Sequence, residues 1–149
     1  MTLVVDASVA VKWVVREAGN DAARALFDRP DPLIAPDWLL IEAASTFWKK
    51  VKASELLEIH AERHLGELPD YFSRLYPSHE LAIDALKLSF RLKHPTYDCL
   101  YLALALRESV PLVTADRKFW NAANRAKLGQ HVQLLEWPNR DQTSVPDIE

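Results

Sequence analysis

The chain has 149 residues, 49% of them hydrophobic and 26% charged, a composition typical of one ordinary globular domain with a sizeable core. The net charge of −3 argues against a strongly basic polyanion binder, so contact with nucleic acid would need a local basic patch. A single cysteine, Cys99, excludes an intrachain disulfide framework. Since no segment resembles a signal peptide or a membrane span either, we expect a cytoplasmic protein.

The apolar residues follow a pattern in which short strands alternate with amphipathic helices. Ser54 and Ser78 stand at the starts of two of these helices and are predicted N-caps. The helical segment 96–109 is apolar on almost all sides, which predicts that it is buried. In chain order, the pattern predicts a strand at 2–6, helices at 7–19 and 20–28, a strand at 32–36, helices at 37–53 and 54–68, a strand at 71–77, helices at 78–93 and 96–109, a strand at 111–115, a helix at 117–127 and a strand at 131–137.

Strands that alternate with helices predict an α/β fold, with a five-stranded parallel sheet covered by helices on both faces. Right-handed crossovers bring the carboxyl ends of parallel strands to one edge, and open sheets of this kind bind their ligands there. We assign residues 1–137 to this single domain. Residues 138–149 are polar and contain proline, so we predict a frayed C-terminal tail.

Four carboxylates from distant parts of the chain are predicted to meet at this edge. Asp6 ends the first strand, and Asp116 follows the fourth. Asp98 lies at the start of the helix that must run antiparallel to the fourth strand, which returns it to the same edge. Glu42 lies in the second turn of the helix after the second strand. Each acid alone could instead be a helix cap, a first-turn acid or a solvated side chain.

Taken together, the four acids predict a cation site. Carboxylates that lie within a few ångströms of one another repel, and a bound divalent cation removes this electrostatic repulsion. Oxygen ligands without histidine or cysteine favour Mg²⁺ or Mn²⁺ over Zn²⁺. Such a site suits hydrolysis of phosphodiesters, with Lys12, Arg117 and Lys118 as possible contacts to substrate phosphates. The helical pair His60 and His64 lacks a glutamate directly after the first histidine, so we do not assign a zinc protease site.

The segments VVDASV, IEAAS, YDCLYLALA and LVTADRKF resemble, in order and spacing, the four acidic motifs of the PIN domain. Within that family the sequence is most similar to the VapC-type toxins of bacterial and archaeal toxin–antitoxin pairs, from Leu3 to about Trp137. The resemblance implies a three-layer sandwich with a five-stranded parallel sheet between helices. It also implies an endoribonuclease that depends on Mg²⁺ or Mn²⁺, a homodimer, and inhibition by a cognate antitoxin.

The same resemblance implies roles for individual residues. Ser45 stands where many relatives have asparagine, and Cys99 stands where a small residue is common, so substrate preference could differ while the acids remain. By motif position, the implied catalytic residues are Asp6, Glu42, Asp98 and Asp116, the implied cation ligands are Asp6, Asp98 and Asp116, and the implied supporting residues are Ser8, Thr114 and Ser45.

Pattern and resemblance disagree on Glu42. On a helical wheel Glu42 lies away from the stripe of Leu39, Ala43 and Phe47, which is typical of a surface residue. The motif position makes it a site residue, and we follow the resemblance, because such a glutamate can still face a cleft between layers.

An antitoxin would need an apolar docking surface as well as a cation, best an arginine, that reaches toward Asp6 and Asp98. Val11, Val14 and Val15 exceed what one core face requires, so we expect this surface on the first helices.

Other functions remain open from the sequence. A stand-alone RNA-processing nuclease would use the same acids, and an α/β interaction or signalling module could bind a metal without catalysis. A haloacid-dehalogenase-type phosphatase is disfavoured because Ser8 replaces its second acid. A receiver domain is disfavoured because the first strand offers only Asp6 and the last strand is followed by no lysine.

Overall fold

The computed structural model describes residues 1–136, in which five short parallel strands form one sheet with the order β3-β2-β1-β4-β5. The predicted α/β fold with a five-stranded parallel sheet is therefore confirmed. The predicted tail at 138–149, together with Trp137, lies outside the described residues. The strands are β1 Leu3–Val5, β2 Leu33–Pro36, β3 Arg74–Tyr76, β4 Leu112–Thr114 and β5 Val132–Leu134.

Helices cover both faces of the sheet. From β1 to β3 the chain moves across the sheet in one direction, and from β3 to β5 it moves in the opposite direction. Since the crossovers are right-handed, the helices between β1 and β3 lie on one face and the helices between β3 and β5 lie on the other. None of the helices in residues 1–136 could span a membrane. The helices are α1 Ala7–Ala10, α2 Asn20–Arg24, α3 Leu39–Lys52, α4 Glu58–Glu67, α5 Ala82–Leu92, α6 Thr96–Glu108 and α7 Arg117–Arg125.

The interior of the domain is built on β1, β2, β4 and α6. The three central strands are buried along their whole length, as strands covered on both faces must be. Helix α6 packs against β1, β2 and β4, and an unbroken run from Cys99 to Ala105 is buried, which confirms the prediction from its apolar sequence. The thiol of Cys99 lies within this core.

The first predicted helix, 7–19, is much shorter than expected. It comprises only α1 and a 3₁₀ turn at Val11–Trp13, because a side chain replaces its backbone hydrogen bonds. The amide of Asn20 donates to the carbonyls of Lys12 and Val15, both at 2.8 Å, so a loop stands where further helical turns were predicted. The predicted helix at 20–28 likewise passes from α2 into a 3₁₀ turn.

Neither predicted serine caps its own helix, although Ser78 is the first residue of a 3₁₀ turn, Ser78–Leu81, that runs directly into α5. Ser54 has a φ of 60° and lies in the turn after α3, and α4 begins only at Glu58. The hydroxyl of Ser78 instead accepts a 2.9 Å hydrogen bond from the backbone N–H of Trp38 and donates to Asp37 at 2.6 Å. Ser78 thus stabilises the start of α3, a role that no local pattern could predict.

The prediction of an exposed apolar docking surface on the first helices is wrong. Val11 and Val15 are buried and Val14 is partly buried, since the loop after α1 folds back onto the core. Exposed apolar side chains occur on other helices. They include Ile41 and Trp48 on α3, Ile59 on α4, and Ile83, Leu86 and Phe90 on α5.

Candidate active site

A cavity of about 350 Å³ opens where the sheet reverses its strand order, at the carboxyl ends of β1 and β4. Open α/β sheets bind ligands at such a reversal point, because the connections that follow the two neighbouring strands pass to opposite faces of the sheet and leave a crevice between them. All four predicted acids line this cavity. The lining residues are Asp6, Ala7, Ser8, Val11, Lys12, Glu17, Glu42, Thr46, Asp98, Ala115 and Asp116.

Asp6 is both a helix cap and a cavity residue. Its carboxylate accepts hydrogen bonds from the backbone N–H of Val9 at 3.3 Å and from the Ser8 hydroxyl at 2.5 Å. Burial raises the pKa of Asp6 to about 7, against the opposing effect of the hydroxyls of Ser8 and Thr114, and the charge of Asp98 raises it further. The two explanations that the sequence left open for Asp6 are thus compatible.

Ser8 and Thr114 join the ends of β1 and β4 beneath the acids. The Ser8 hydroxyl accepts a 2.9 Å hydrogen bond from the backbone N–H of Ala115, and it lies 3.4 Å from the Thr114 hydroxyl. The Thr114 hydroxyl accepts from the backbone N–H of Asp116 at 3.1 Å. The two supporting hydroxyls therefore fix the spacing between the strand ends that carry Asp6 and Asp116.

Asp116 caps α7 in the same way that Asp6 caps α1. Its Oδ1 accepts hydrogen bonds from the backbone N–H groups of Lys118 at 2.9 Å and Phe119 at 3.3 Å. These bonds cap the N-terminus of α7 beside the cavity, and the N–H groups partly compensate the negative charge of Asp116.

Asp98 enters the cavity from the first turn of α6. Its Oδ2 lies 2.5 Å from Nε2 of His94, a buried residue whose ring packs 5.1 Å from the ring of Phe119. Burial raises the pKa of Asp98 above its usual value; His94 opposes the rise and the charge of Asp116 adds to it. Asp98 is thus held by a contact with the buried His94 and repelled by the charge of Asp116.

Glu42 lines the cavity, as its motif position implied and its helical wheel did not. It is partly buried, and its Oε1 accepts a 2.6 Å hydrogen bond from the hydroxyl of Tyr101. Burial raises the pKa of Glu42, against the effect of this hydrogen bond, and the charge of Asp98 adds to the rise. The wheel failed because it marks only the face that packs on the sheet, whereas Glu42 faces the gap beside it.

Ser45 does not join the site. It is exposed and is absent from the cavity lining. Thr46 takes the neighbouring place instead: it lies one helical turn after Glu42, and its hydroxyl donates to the Glu42 carbonyl at 3.1 Å. The expectation that Ser45 supports the acids is therefore not met by the structure.

The cationic residues differ in their relation to the cavity. Lys12 lines it, pairs with Glu17 at 3.2 Å and donates to the carbonyl of Ala18 at 2.7 Å. Arg117 and Lys118 are exposed in the first turn of α7 and do not line the cavity, so they stand beside Asp116 rather than inside the site.

Besides Thr46, sequence reasoning missed three residues of this site. Glu17 adds a fifth carboxylate to the lining. His94 contacts Asp98 and Tyr101 contacts Glu42, and neither His94 nor Tyr101 lines the cavity itself. The spacing of Tyr101 from Asp98, three residues along α6, was a usable signal, since such residues share one helix face, and His94 lies close to Asp98 in the chain, directly before α6.

The donor set fits a hard divalent cation, because carboxylate oxygens of several chain segments line one cavity. Within residues 1–136, no three histidine, cysteine or acidic side chains already stand close enough to form a complete cation site. Burial, with a smaller contribution from the charge of Asp98, raises the pKa of Asp6 to about 7, and a bound divalent cation would favour the charged form of this carboxylate.

Comparison with known proteins agrees with this geometry. The profile of the PIN domain matches residues 3–125, so the chain belongs to the PIN-domain family. Ribonuclease VapC3 of Pyrobaculum aerophilum is 34% identical over 121 residues, which cover 79% of this chain and 92% of that protein. The VapC-type resemblance seen in the four acidic motifs is thereby confirmed.

A solved structure shows the same fold. The crystal structure of PAE2754 from Pyrobaculum aerophilum matches with a TM-score of 0.62 and 23% identity, covering 82% of this chain and 87% of that one. At this identity the likeness supports the arrangement of strands and helices alone.

Proposed function

We propose that this protein is an endoribonuclease that requires Mg²⁺ or Mn²⁺ and hydrolyses phosphodiester bonds of single-stranded or looped RNA. The observation that carries the proposal is the convergence of Asp6, Glu42, Asp98 and Asp116, from four separate elements, on one cavity. The name of the relative, Ribonuclease VapC3, supports the substrate class.

The cavity offers separate tasks to its residues. Asp6, Asp98 and Asp116 would hold the cation, which when bound lowers the pKa of water and stabilises charge on phosphate. Glu42 is suited to take a proton from the attacking water, since burial raises its pKa above the usual value and so makes it a stronger base. Lys12 places a positive charge in the lining, where a phosphate of the substrate would be attracted.

The direct test is RNA cleavage by the purified protein. We expect cleavage with Mg²⁺ or Mn²⁺, its loss in EDTA, and its return when the metal is restored. Asp6→Asn and Asp98→Asn are each expected to lower the rate by orders of magnitude with the fold intact, whereas Asp84→Asn, which removes an exposed acid of α5, is the matched control. Cleavage that continues undiminished in EDTA would exclude this mechanism.

We further propose that the nuclease is the toxin of a toxin–antitoxin pair and inhibits translation in the cytoplasm by cutting RNA. The support is the VapC-type relative and the acidic cavity, which a partner's arginine could neutralise in the absence of metal. The neighbouring reading frame is expected to co-purify, to block cleavage and to compete with Mn²⁺. If it does none of these, a stand-alone processing nuclease is the better assignment.

A homodimer, which the resemblance implies, has a suitable surface on α5. Ile83, Leu86 and Phe90 are 71%, 46% and 72% exposed, and their spacing of three and four residues puts them on one helix face. Exposed apolar stripes of this kind usually mark an interface between proteins. We propose that a second copy of the chain covers it.

A further inference from the structure

Tyr101 combines deep burial with a polar contact at the cavity. Its side chain is 1% exposed, and its hydroxyl donates a 2.6 Å hydrogen bond to Oε1 of Glu42. Tyr101 follows Asp98 by three residues on α6, so both lie on neighbouring parts of one helix face. Helical side chains lean toward the N-terminus of their helix, and the N-terminus of α6 is the end that meets the acids.

The hydroxyl of Tyr101 can act only as a donor to Glu42. Burial raises the pKa of Tyr101 well above its usual value, and the charges of Glu42, Asp6 and Asp98 raise it further, so the phenol stays protonated. A buried tyrosine hydroxyl normally needs a partner, and this one has a partly buried carboxylate. The contact therefore joins the interior of the domain, through α6, to the cavity, through α3.

We propose that Tyr101 is a positioning residue for the reaction, because its hydroxyl fixes one oxygen of Glu42 and so holds the other oxygen ready for the attacking water. The inference rests on the proposed nuclease function. Glutamate has three rotatable side-chain bonds, and a half-buried carboxylate without its donor samples other rotamers. Tyr101 thus acts through Glu42 and does not itself need to touch the substrate.

The test is a double-mutant cycle with Tyr101→Phe and Glu42→Gln. Tyr101→Phe removes a single oxygen atom and is expected to lower kcat by about 10- to 100-fold, the usual effect of losing an outer partner of a site residue. KM is expected to stay within about threefold of the wild-type value, because the hydrogen bond from Tyr101 to Glu42 orients Glu42 for the chemical step and does not contact the substrate. Since both changes act through one carboxylate, the double variant is expected to be no slower than Glu42→Gln.

The matched control is Tyr76→Phe. The hydroxyl of Tyr76 also donates to a carboxylate, Glu108 at 2.5 Å, and Tyr76 does not line the cavity. This variant loses the same chemical bond elsewhere in the domain, so it reports the effect on folding alone. Its kcat is expected to equal that of the wild type, and the thermal unfolding of both Phe variants is to be measured in parallel.

A spectroscopic measurement separates this inference from the nuclease function. In metal-free protein, the ¹³C signal of the Glu42 carboxyl, assigned by its absence in Glu42→Gln, is expected to shift in Tyr101→Phe and not in Tyr76→Phe. If the wild type fails to cut RNA, the proposed function falls, and the carboxyl signal still tests the bond. If the wild type cuts RNA and Tyr101→Phe keeps its kcat, or if the single effects multiply in the double variant, the positioning role is overturned.

Discussion

His94 Nε2 lies 2.5 Å from Asp98 Oδ2, so a buried ring directly before α6 holds an acid of the cavity from the protein side. His94 itself does not line the cavity, and its ring is packed against Phe119 of α7. The bond therefore orients Asp98 without closing the cavity, as outer partners of metal-ligating carboxylates do.

We predict that His94→Leu, which retains an apolar side chain of similar size, weakens Mn²⁺ binding by about 10- to 100-fold. His94→Gln retains a donor and is expected to lose less. Isothermal titration calorimetry with Mn²⁺ measures both, with His79→Leu, a change of an exposed histidine, as the control. Wild-type affinity in His94→Leu would show that the ring serves packing alone.

The raised pKa of Asp6 predicts that metal-free protein loses stability as the pH rises. With a pKa of about 7 in the folded state and 3.8 as its ordinary value, Asp6 binds more protons when folded between these values. The free energy of unfolding therefore falls from about pH 4 to about pH 7, and the full penalty, up to about 4 kcal/mol, remains above pH 7.

Asp6→Asn removes this penalty, so in EDTA it is expected to unfold at a higher temperature than the wild type at pH 8. At pH 4 the difference is expected to shrink, because the wild-type carboxyl is then protonated in the folded protein. Thermal unfolding at both pH values measures the effect, with Asp84→Asn as the control for a general change in charge. An equal difference at both pH values would contradict the shift.

Divalent cations are predicted to stabilise the fold. A ligand present at 100 times its Kd and bound only to the folded state adds about 2.7 kcal/mol to the free energy of unfolding. We expect Mn²⁺ to raise the Tm in a saturable way and EDTA to reverse the rise. Asp98→Asn is expected to lose most of this response. If the Tm of the wild type is unchanged by Mn²⁺, the cavity is not a cation site and the proposed metal-dependent function is contradicted.

The α5 stripe is predicted to form the homodimer interface. Phe90→Asp puts a charge on the most exposed of its apolar residues and is expected to give a monomer in sedimentation experiments. Ile59→Asp makes the same kind of change on α4, where Ile59 is 71% exposed, and is expected to leave the dimer intact. A wild type that sediments as a monomer would contradict the proposal.

The sequence determined the edge of the sheet at which the acids meet. An acid directly after an apolar strand must stand at the carboxyl edge, and α6 must return its first turn to that edge before β4. Asp6, Asp98 and Asp116 could therefore be placed from local pattern and chain direction, and the structure brings all three into one cavity. Their capping bonds are local as well, since each strand-end acid binds backbone N–H groups only two or three residues away.

Only the tertiary structure decided the long-range contacts that hold the residues of the cavity in place. The hydrogen bond from Tyr101 to Glu42 joins residues 59 positions apart in the sequence. The hydrogen bond from the N–H of Ala115 to the hydroxyl of Ser8 joins residues 107 positions apart. The face of α3 that borders the cavity depends on how α3 packs between its neighbours, which is why Thr46 lines the site and Ser45 does not. The Asn20 amide binds the carbonyls of Lys12 and Val15, which holds the loop that contains the buried Val15. Periodicity within one helix fixes which residues share a face, but packing between layers fixes what that face meets.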